Sequence, residues 1–303
     1  MAKVLVCDHV EVERLALGQG LEVDYMPEIG REELMEVVEG YDAIVVRSRT
    51  KVDRELLDRA VRLKLVARPG TGLDNIDVEY AKAKGVQVVN SPESLVEAVA
   101  EHVILLLLSL SRQLPEADLS TKAGRWEKNY LTGVELRGRT LGIVGLGRIG
   151  RRIAEVAKSL GMAILVYDVV ALPPDLLSSL SARLSTLEDL LKSADYVTFH
   201  VPLTTETRHL VDRARLATMK KTAFLVNTSR GGVVDEEALA EALSTGRLGG
   251  AALDVFEREP PSGAILTAPH TILTPHIGGQ TEEAQADAIR VVGKKIASFF
   301  SEH

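Results

Sequence analysis

The sequence predicts an α/β protein of two domains, each built on a doubly wound, mostly parallel sheet. Three observations carry that expectation. Short apolar runs alternate with segments of helical period along nearly the whole chain. The 303 residues exceed one typical core and suit two domains of roughly 100–200 residues each. A glycine-rich turn, TLGIVGLGRIG at residues 140–150, lies near the middle between an apolar run and a helix start.

That turn organises the second half of the chain. Leu141, Ile143 and Val144 read as a strand, and the residues from Arg151 to Ala157 take up a helical pattern. Gly145 can supply the tight turn, Gly147 leaves room for a pyrophosphate to approach the backbone, and Gly150 lets the helix pack closely on the strand, with Arg148 and Ile149 completing the motif. The helix N-terminus then offers free N–H groups and a positive dipole to the phosphates. A second strand, Ala163–Tyr167, ends in Asp168, 21 residues beyond Gly147. A carboxylate there can accept from ribose hydroxyls and repels a 2′-phosphate. These features together imply dinucleotide binding, with NAD preferred to NADP.

Before that turn the chain reads as a smaller α/β unit. Residues 3–8, 43–46, 65–67 and 86–89 read as strands, and 31–38 and 53–62 carry apolar residues at helical spacing. Two strands end in basic turns, Arg47-Ser48-Arg49-Thr50 and the glycine-bearing Arg68-Pro69-Gly70-Thr71-Gly72. Ligands of open α/β sheets sit beyond the carboxyl ends of strands, so Arg47, Arg68 and Gly70 form a candidate anion site.

Residues 94–110 are apolar on several faces and read as a buried helix crossing between the two units. Residues 111–139 lack a clear period. With Trp126 and Tyr130 among charges, they read equally as an arm over a partner subunit or a surface excursion. Residues 140–275 should hold six strands, at 141–145, 163–167, 196–200, 223–227, 250–254 and 271–274. That number fits a full doubly wound sheet of the Rossmann type. A last helical segment, 282–299, should return to the first unit. The expected arrangement is thus a flavodoxin-like substrate domain, residues 1–93 and 280–303, with the dinucleotide domain, 94–279, inserted and joined by two crossing helices. A hinge with a ligand cleft follows.

Composition narrows the partners. A net charge of −7 and a pI near 5.6 provide no field to hold nucleic acid. No apolar run reaches the ~18 residues of a membrane span, and MAKVLVCD meets a charge too early for a secretory signal. The single cysteine, Cys7, excludes an internal disulfide and reads as a small core residue of a protein in a reducing compartment. A cytoplasmic enzyme with a small-molecule substrate and no metal is expected. Only four Asn and five Gln stand beside abundant Glu, Lys and Arg, a bias seen in proteins from hot environments.

Three polar residues fall in loops after strands of the second sheet: Arg230 in NTSRGG, Glu259 in EREPP and His276 in TPHIGG. Singly they read as a surface arginine, a helix-capping acid and a core-edge histidine. Together they offer what a 2-keto or 2-hydroxy acid needs. Arginine presents a planar fork to a carboxylate. Histidine exchanges a proton near neutral pH. A carboxylate beside it favours the protonated imidazole and fixes its orientation.

With GLGRIG and Asp168 followed by HVPLT (200–204), NTSRGGVVDEEAL (227–239), AALDVFEREPP (251–261) and TPHIGGQT (274–281), the chain resembles the D-isomer-specific 2-hydroxyacid dehydrogenases nearly end to end. Within that family RSRTKV (47–52), ARPGTGLDNID (67–77) and the Arg230-to-Glu259 spacing most resemble the phosphoglycerate dehydrogenase branch. The resemblance implies Arg230 as carboxylate anchor, Glu259 and His276 as the acid/base pair, and Asp254 near the nicotinamide amide. It also implies that His200, Val201, Pro202, Thr228 and Gly278 line the cofactor groove. A homodimer is expected. The formate dehydrogenases of the superfamily carry glutamine where Glu259 stands, so the resemblance is to the hydroxy-acid branch. Two departures are visible. The chain ends at His303 without the regulatory domains of longer relatives, so serine feedback through such a domain is not expected. Glu93-Ser94-Leu95 also stand where many relatives carry Gly-Asn. The alternatives are a glyoxylate or hydroxypyruvate reductase, a D-lactate-type enzyme, or an NAD-responsive corepressor that binds peptides.

Overall fold

The structure, a computed structural model, describes residues 1–17 and 20–302. The chain divides into two compact units, Met1–Val96 with Gly279–His303, and Glu97–Gly278.

The first unit holds β1 (Ala2–Val6), β2 (Leu21–Tyr25), α1 (Arg31–Val37), β3 (Ala43–Val45), α2 (Arg54–Arg59), β4 (Leu65–Arg68), α3 (Val78–Ala83) and β5 (Gln87–Asn90). The five strands pair in parallel in the order β2-β1-β3-β4-β5, the flavodoxin-like order. A parallel sheet covered on both faces needs strands that are apolar throughout, and β1, β3 and β4 carry such runs. Leu5, Ile44 and Val66 face Leu34, Leu56 and Leu57 of the helices. On the opposite face Val4, Val6, Val45 and Ala67 pack with Ile289, Val292 and Ile296 of the chain's last helix. Asp53 and Asp77 cap α2 and α3 by accepting from the amides of Leu56 and Tyr80.

The second unit contains α4 (Val96–Arg112, beginning one residue before it), α5 (Leu114–Lys122), β6 (Thr140–Val144), α6 (Arg148–Ser159), β7 (Ala163–Tyr167), α7 (Pro174–Leu180), β8 (Ala182–Leu184) and α8 (Leu187–Ser193). It continues through β9 (Tyr196–Phe199), α9 (Arg213–Leu216), β10 (Phe224–Asn227), α10 (Glu236–Ser244), β11 (Gly250–Leu253) and β12 (Thr271–Leu273). All pairings are parallel, in the order β12-β11-β10-β9-β6-β7-β8. The chain leaves β6 toward β7 and β8, then crosses to β9 on the other side. In open α/β sheets such a reversal is where ligands bind, and here it falls at the carboxyl ends of β6 and β9. The last helix, α11 (Glu282–Glu302), belongs to the first unit.

The structure corrects the sequence reading at the sheet edges and in two helices. The second sheet has seven strands where six are expected; the extra one, β8, is three residues long with Arg183 and Leu184 exposed. In the first sheet β2 is additional, its Leu-Glu-Val-Asp-Tyr alternation belonging to a half-covered edge. The aperiodic stretch 111–139 contains α5, which buries only Ser120 among its nine residues and so carries no apolar stripe. The helix α4 is not buried on all faces: Leu106 and Leu107 are buried, whereas Leu105 and Leu108 are 53% and 42% exposed. No helix among the described residues is long and apolar enough to cross a membrane.

Candidate active site in the second unit

The glycine turn is built by backbone crowding. Gly145 has φ +95°, and a Cβ on it would lie 2.6 Å from the His200 carbonyl oxygen. Only glycine tolerates both the angle and the approach. A Cβ at Gly150 would lie 2.2 Å from the Gly145 carbonyl oxygen, so the first turn of α6 closes directly onto the loop. Around Gly147 the space is open, and the twelve-residue α6 begins there with its first amides unspent by a side-chain cap. Asp168 follows β7 and accepts from the amides of Leu146 (2.7 Å) and Val170 (3.0 Å). Two hydrogen bonds leave a carboxylate further lone pairs for hydroxyl donors. The 200–202 segment follows β9. There the His200 amide donates to the Val144 carbonyl at 2.8 Å, and burial pushes the imidazole down to about 3, keeping it neutral.

The other half of the sheet edge carries the candidate chemistry on the neighbouring strands β10, β11 and β12. Asn227, fully buried at the end of β10, accepts from the Ser229 amide (3.1 Å) and hydroxyl (2.9 Å) and donates to the Arg230 carbonyl (2.8 Å). The loop that presents Arg230 is thereby closed on itself. A Cβ at Gly231 would lie 1.8 Å from the Phe256 carbonyl carbon, so this loop rests against the backbone leading to Glu259. Glu259 and His276 meet: Nδ1 of His276 lies 3.0 Å from Oε2 and 3.1 Å from Oε1 of Glu259. With Nδ1 donating to the carboxylate, Nε2 is the ring atom left to carry a proton to and from a substrate.

Asp254, 1% exposed at the end of β11, accepts from the Ile277 amide (2.8 Å), the Gly278 amide (2.7 Å) and the Thr274 hydroxyl (2.6 Å). Burial opposes its charge, but hydrogen bonding from His102, Thr274 and the two amides outweighs it and holds the carboxyl below the usual range. The side chain expected beside a nicotinamide amide is therefore engaged with the protein's own loop.

Residues 104–278 match the family model described as "D-isomer specific 2-hydroxyacid dehydrogenase, NAD binding domain". The chain is 44% identical over 299 residues to a D-3-phosphoglycerate dehydrogenase of Methanocaldococcus jannaschii, covering 98% of this chain and 57% of the relative. The chain belongs to the D-isomer-specific 2-hydroxyacid dehydrogenase family. It spans about half the length of the curated phosphoglycerate dehydrogenases first matched, 57% and 54% of two of them. A hydroxypyruvate reductase of Thermotoga maritima is 44% identical over 259 residues, covering 84% of this chain and 83% of that one. Among solved structures, a glyoxylate reductase from Paecilomyes thermophila superposes with a TM-score of 0.91 at 32% identity, covering 98% of this chain and 94% of that chain.

The residues present fit the dinucleotide that the family model names. Thr228 Oγ1 is buried with no partner in the loop after β10, a polar atom that a bound ligand would satisfy. The open approach to Gly147, the amides of α6 and the Asp168 carboxylate lie at the ends of β6 and β7, beside the strand-order reversal. Val201 packs on Gly145, Gly278 donates to Asp254, and Pro202 accepts from Thr207.

In the first unit, Arg47 and Arg68 stand at the carboxyl ends of the adjacent strands β3 and β4. Arg47 donates to Gln285 of α11, and Arg68 donates to the Gly72 carbonyl. Burial lowers the Arg47 guanidinium from its usual value, with Asp8 opposing the shift. Gly70, at φ +140°, donates its amide to Ser91 Oγ at 2.8 Å. Arg49, in the same basic turn, is structural: it reaches Asp8 and the carbonyls of Ile29, Cys7 and Pro27. Cys7 is buried, and burial beside Asp8 pushes its thiol up to about 12, which leaves it unreactive.

Sequence reasoning missed Asn227, Thr274 and His102 as parts of the site. The first two stand within the quoted motifs NTSRGG and TPHIGG, at strand ends where a polar residue among apolar neighbours is itself a signal. His102 lies far away in sequence on α4, and only folding brings it to Asp254.

Proposed function

We propose that the chain is an NAD-dependent oxidoreductase that interconverts a D-2-hydroxy acid and its 2-keto acid, with 3-phosphoglycerate and 3-phosphohydroxypyruvate as the pair, the entry reaction of serine synthesis. The contact of His276 with Glu259, beyond the carboxyl ends of β11 and β12 in the same sheet as the dinucleotide-binding turn, is the observation that carries the reading. Arg230 anchors the substrate carboxylate through its planar fork. His276 Nε2 gives a proton to the carbonyl oxygen in reduction and takes it back in oxidation, while Glu259 holds the ring by Nδ1. Bound NAD supplies the hydride chemistry. Residues 94–279 bind the dinucleotide and the remainder binds substrate, with Arg47, Arg68 and Gly70 receiving a phosphate. Support for the phosphorylated substrate comes from these paired arginines and from the relatives named phosphoglycerate dehydrogenase.

A second reading, hydroxypyruvate or glyoxylate reductase, is favoured by Glu93-Ser94-Leu95 and by the Thermotoga maritima relative. The test is one screen of NADH oxidation against phosphohydroxypyruvate, hydroxypyruvate, glyoxylate and pyruvate. Phosphohydroxypyruvate should show the highest kcat/KM. A preference for hydroxypyruvate or glyoxylate selects the second reading, and turnover of none removes both. The protein is further proposed to act in the cytoplasm as a homodimer. Supporting the dimer, Trp126 and Tyr130 are 83% and 85% exposed, in the same unit as the exposed leucines of α4.

A further inference from the structure

One buried polar chain in the second unit touches neither the proposed substrate groups nor the glycine turn. His102, on α4, places Nε2 3.2 Å from Thr274 Oγ1 and 3.5 Å from Asp254 Oδ1. Thr274 Oγ1 lies 2.6 Å from the same carboxylate oxygen. An ionised carboxylate only accepts, so the single hydroxyl proton is committed to Asp254. The hydroxyl oxygen must then accept from His102, which assigns a proton to Nε2 of that ring. The relay runs from His102 through Thr274 to Asp254, with the His102 and Asp254 side chains only 11% and 2% exposed. Water therefore competes little for these bonds.

The far end of the relay grips the loop of the candidate proton carrier. Asp254 holds Thr274 on one side of His276 and the amides of Ile277 and Gly278 on the other. His276 itself sits at φ +54°, in the left-handed region that a residue with a Cβ adopts only when its surroundings impose it. Its amide reaches the Thr274 carbonyl at 3.0 Å. The left-handed residue is thus held from both sides along the chain by one carboxylate, and that carboxylate is oriented from α4.

We propose that His102 is a positioning residue for His276: by donating from Nε2 to Thr274 it locks the Asp254 clamp that holds the His276 loop in its left-handed turn. The inference rests on the reading of His276 as the proton carrier.

Three substitutions test it. His102→Leu keeps bulk and removes the donor; His102→Gln sets an amide N–H near the position of Nε2; His102→Asn sets one nearer Nδ1, short of Thr274. In the Leu and Asn variants kcat should fall about tenfold or more, since small misplacements of a catalytic group are costly, while the NADH Kd read by fluorescence stays within about twofold. The Gln variant should recover kcat to within about threefold. In parallel, hydrogen exchange of the 274–280 segment should quicken in the Leu and Asn variants and stay near wild type in the Gln variant. The proposal is overturned if kcat or exchange is unmoved in the Leu variant, if Gln behaves as Leu, or if NADH binding weakens in step with kcat. Exchange is read without turnover. It therefore still decides the proposal should wild type reduce no 2-keto acid, a result that would defeat the activity reading instead.

Discussion

Nδ1 of His276 lies 3.0 Å from Oε2 of Glu259, with both side chains about half exposed, at 52% and 43%. The pair is wet, so its contribution to stability is small; its consequence is for orientation. The carboxylate fixes Nδ1 as the donor and leaves Nε2 to face a substrate. Glu259→Gln should therefore lower kcat by about tenfold or more, because a carboxamide can also turn its NH2 toward the ring and no longer fixes it. His200, pushed down to about 3 by burial, is neutral through the assay range and does not stand in as proton carrier. Steady-state kcat in both directions, with NADH binding read by fluorescence, measures the outcome, and an unmoved kcat would separate Glu259 from the histidine.

Removing the His276 imidazole tests the other half of the pair. His276→Ala should lower kcat by about 10²–10⁴-fold, the usual worth of a positioned acid or base. NADH binding, followed by fluorescence, should stay near wild type, because the glycine turn and Asp168 lie at other strands, β6 and β7. Loss of binding equal to the loss of rate would reassign His276 to the cofactor.

Asp168 should set cofactor choice. Its carboxylate already takes the amides of Leu146 and Val170, and its remaining lone pairs favour free ribose hydroxyls while its charge repels a 2′-phosphate. Asp168→Ala should narrow or reverse the preference for NADH over NADPH, measured as the ratio of kcat/KM. Equal use of both cofactors by wild type would contradict the assignment.

Arg47 and Arg68 separate the substrate readings. Each charge-assisted contact to phosphate is worth roughly 1.5–3 kcal/mol, or ~10–150-fold in affinity. Arg47→Ala and Arg68→Ala should each raise KM for phosphohydroxypyruvate by about that factor and leave glyoxylate nearly unaffected. Because Arg47 also donates to Gln285 of α11, thermal unfolding of each variant distinguishes lost substrate contact from lost packing. Equal damage to both substrates would shift the reading to the non-phosphorylated acids.

The sequence alone determined the parts that depend on local pattern. Mostly apolar runs marked β1, β3, β4, β6, β9 and β10, since strands buried on both faces are apolar at most positions. The glycine spacing marked the turn at Gly145, where the backbone approach of His200 admits no Cβ. The placement of Arg230, Glu259 and His276 in loops after strands was legible from residue types at the ends of apolar runs. Edge strands β2 and β8 were not, because a strand covered on one side carries no continuous run.

Only the tertiary structure decided how these pieces meet. The parallel order β12-β11-β10 sets the loops that carry Arg230, Glu259 and His276 side by side and brings Glu259 onto Nδ1 of His276. Packing of α4 carries His102 to Thr274, 172 residues away, a contact that no local period encodes. The left-handed backbone of His276 is likewise invisible in TPHIGG, because it is imposed by the Asp254 carboxylate binding the amides of Ile277 and Gly278, and local propensity would choose otherwise.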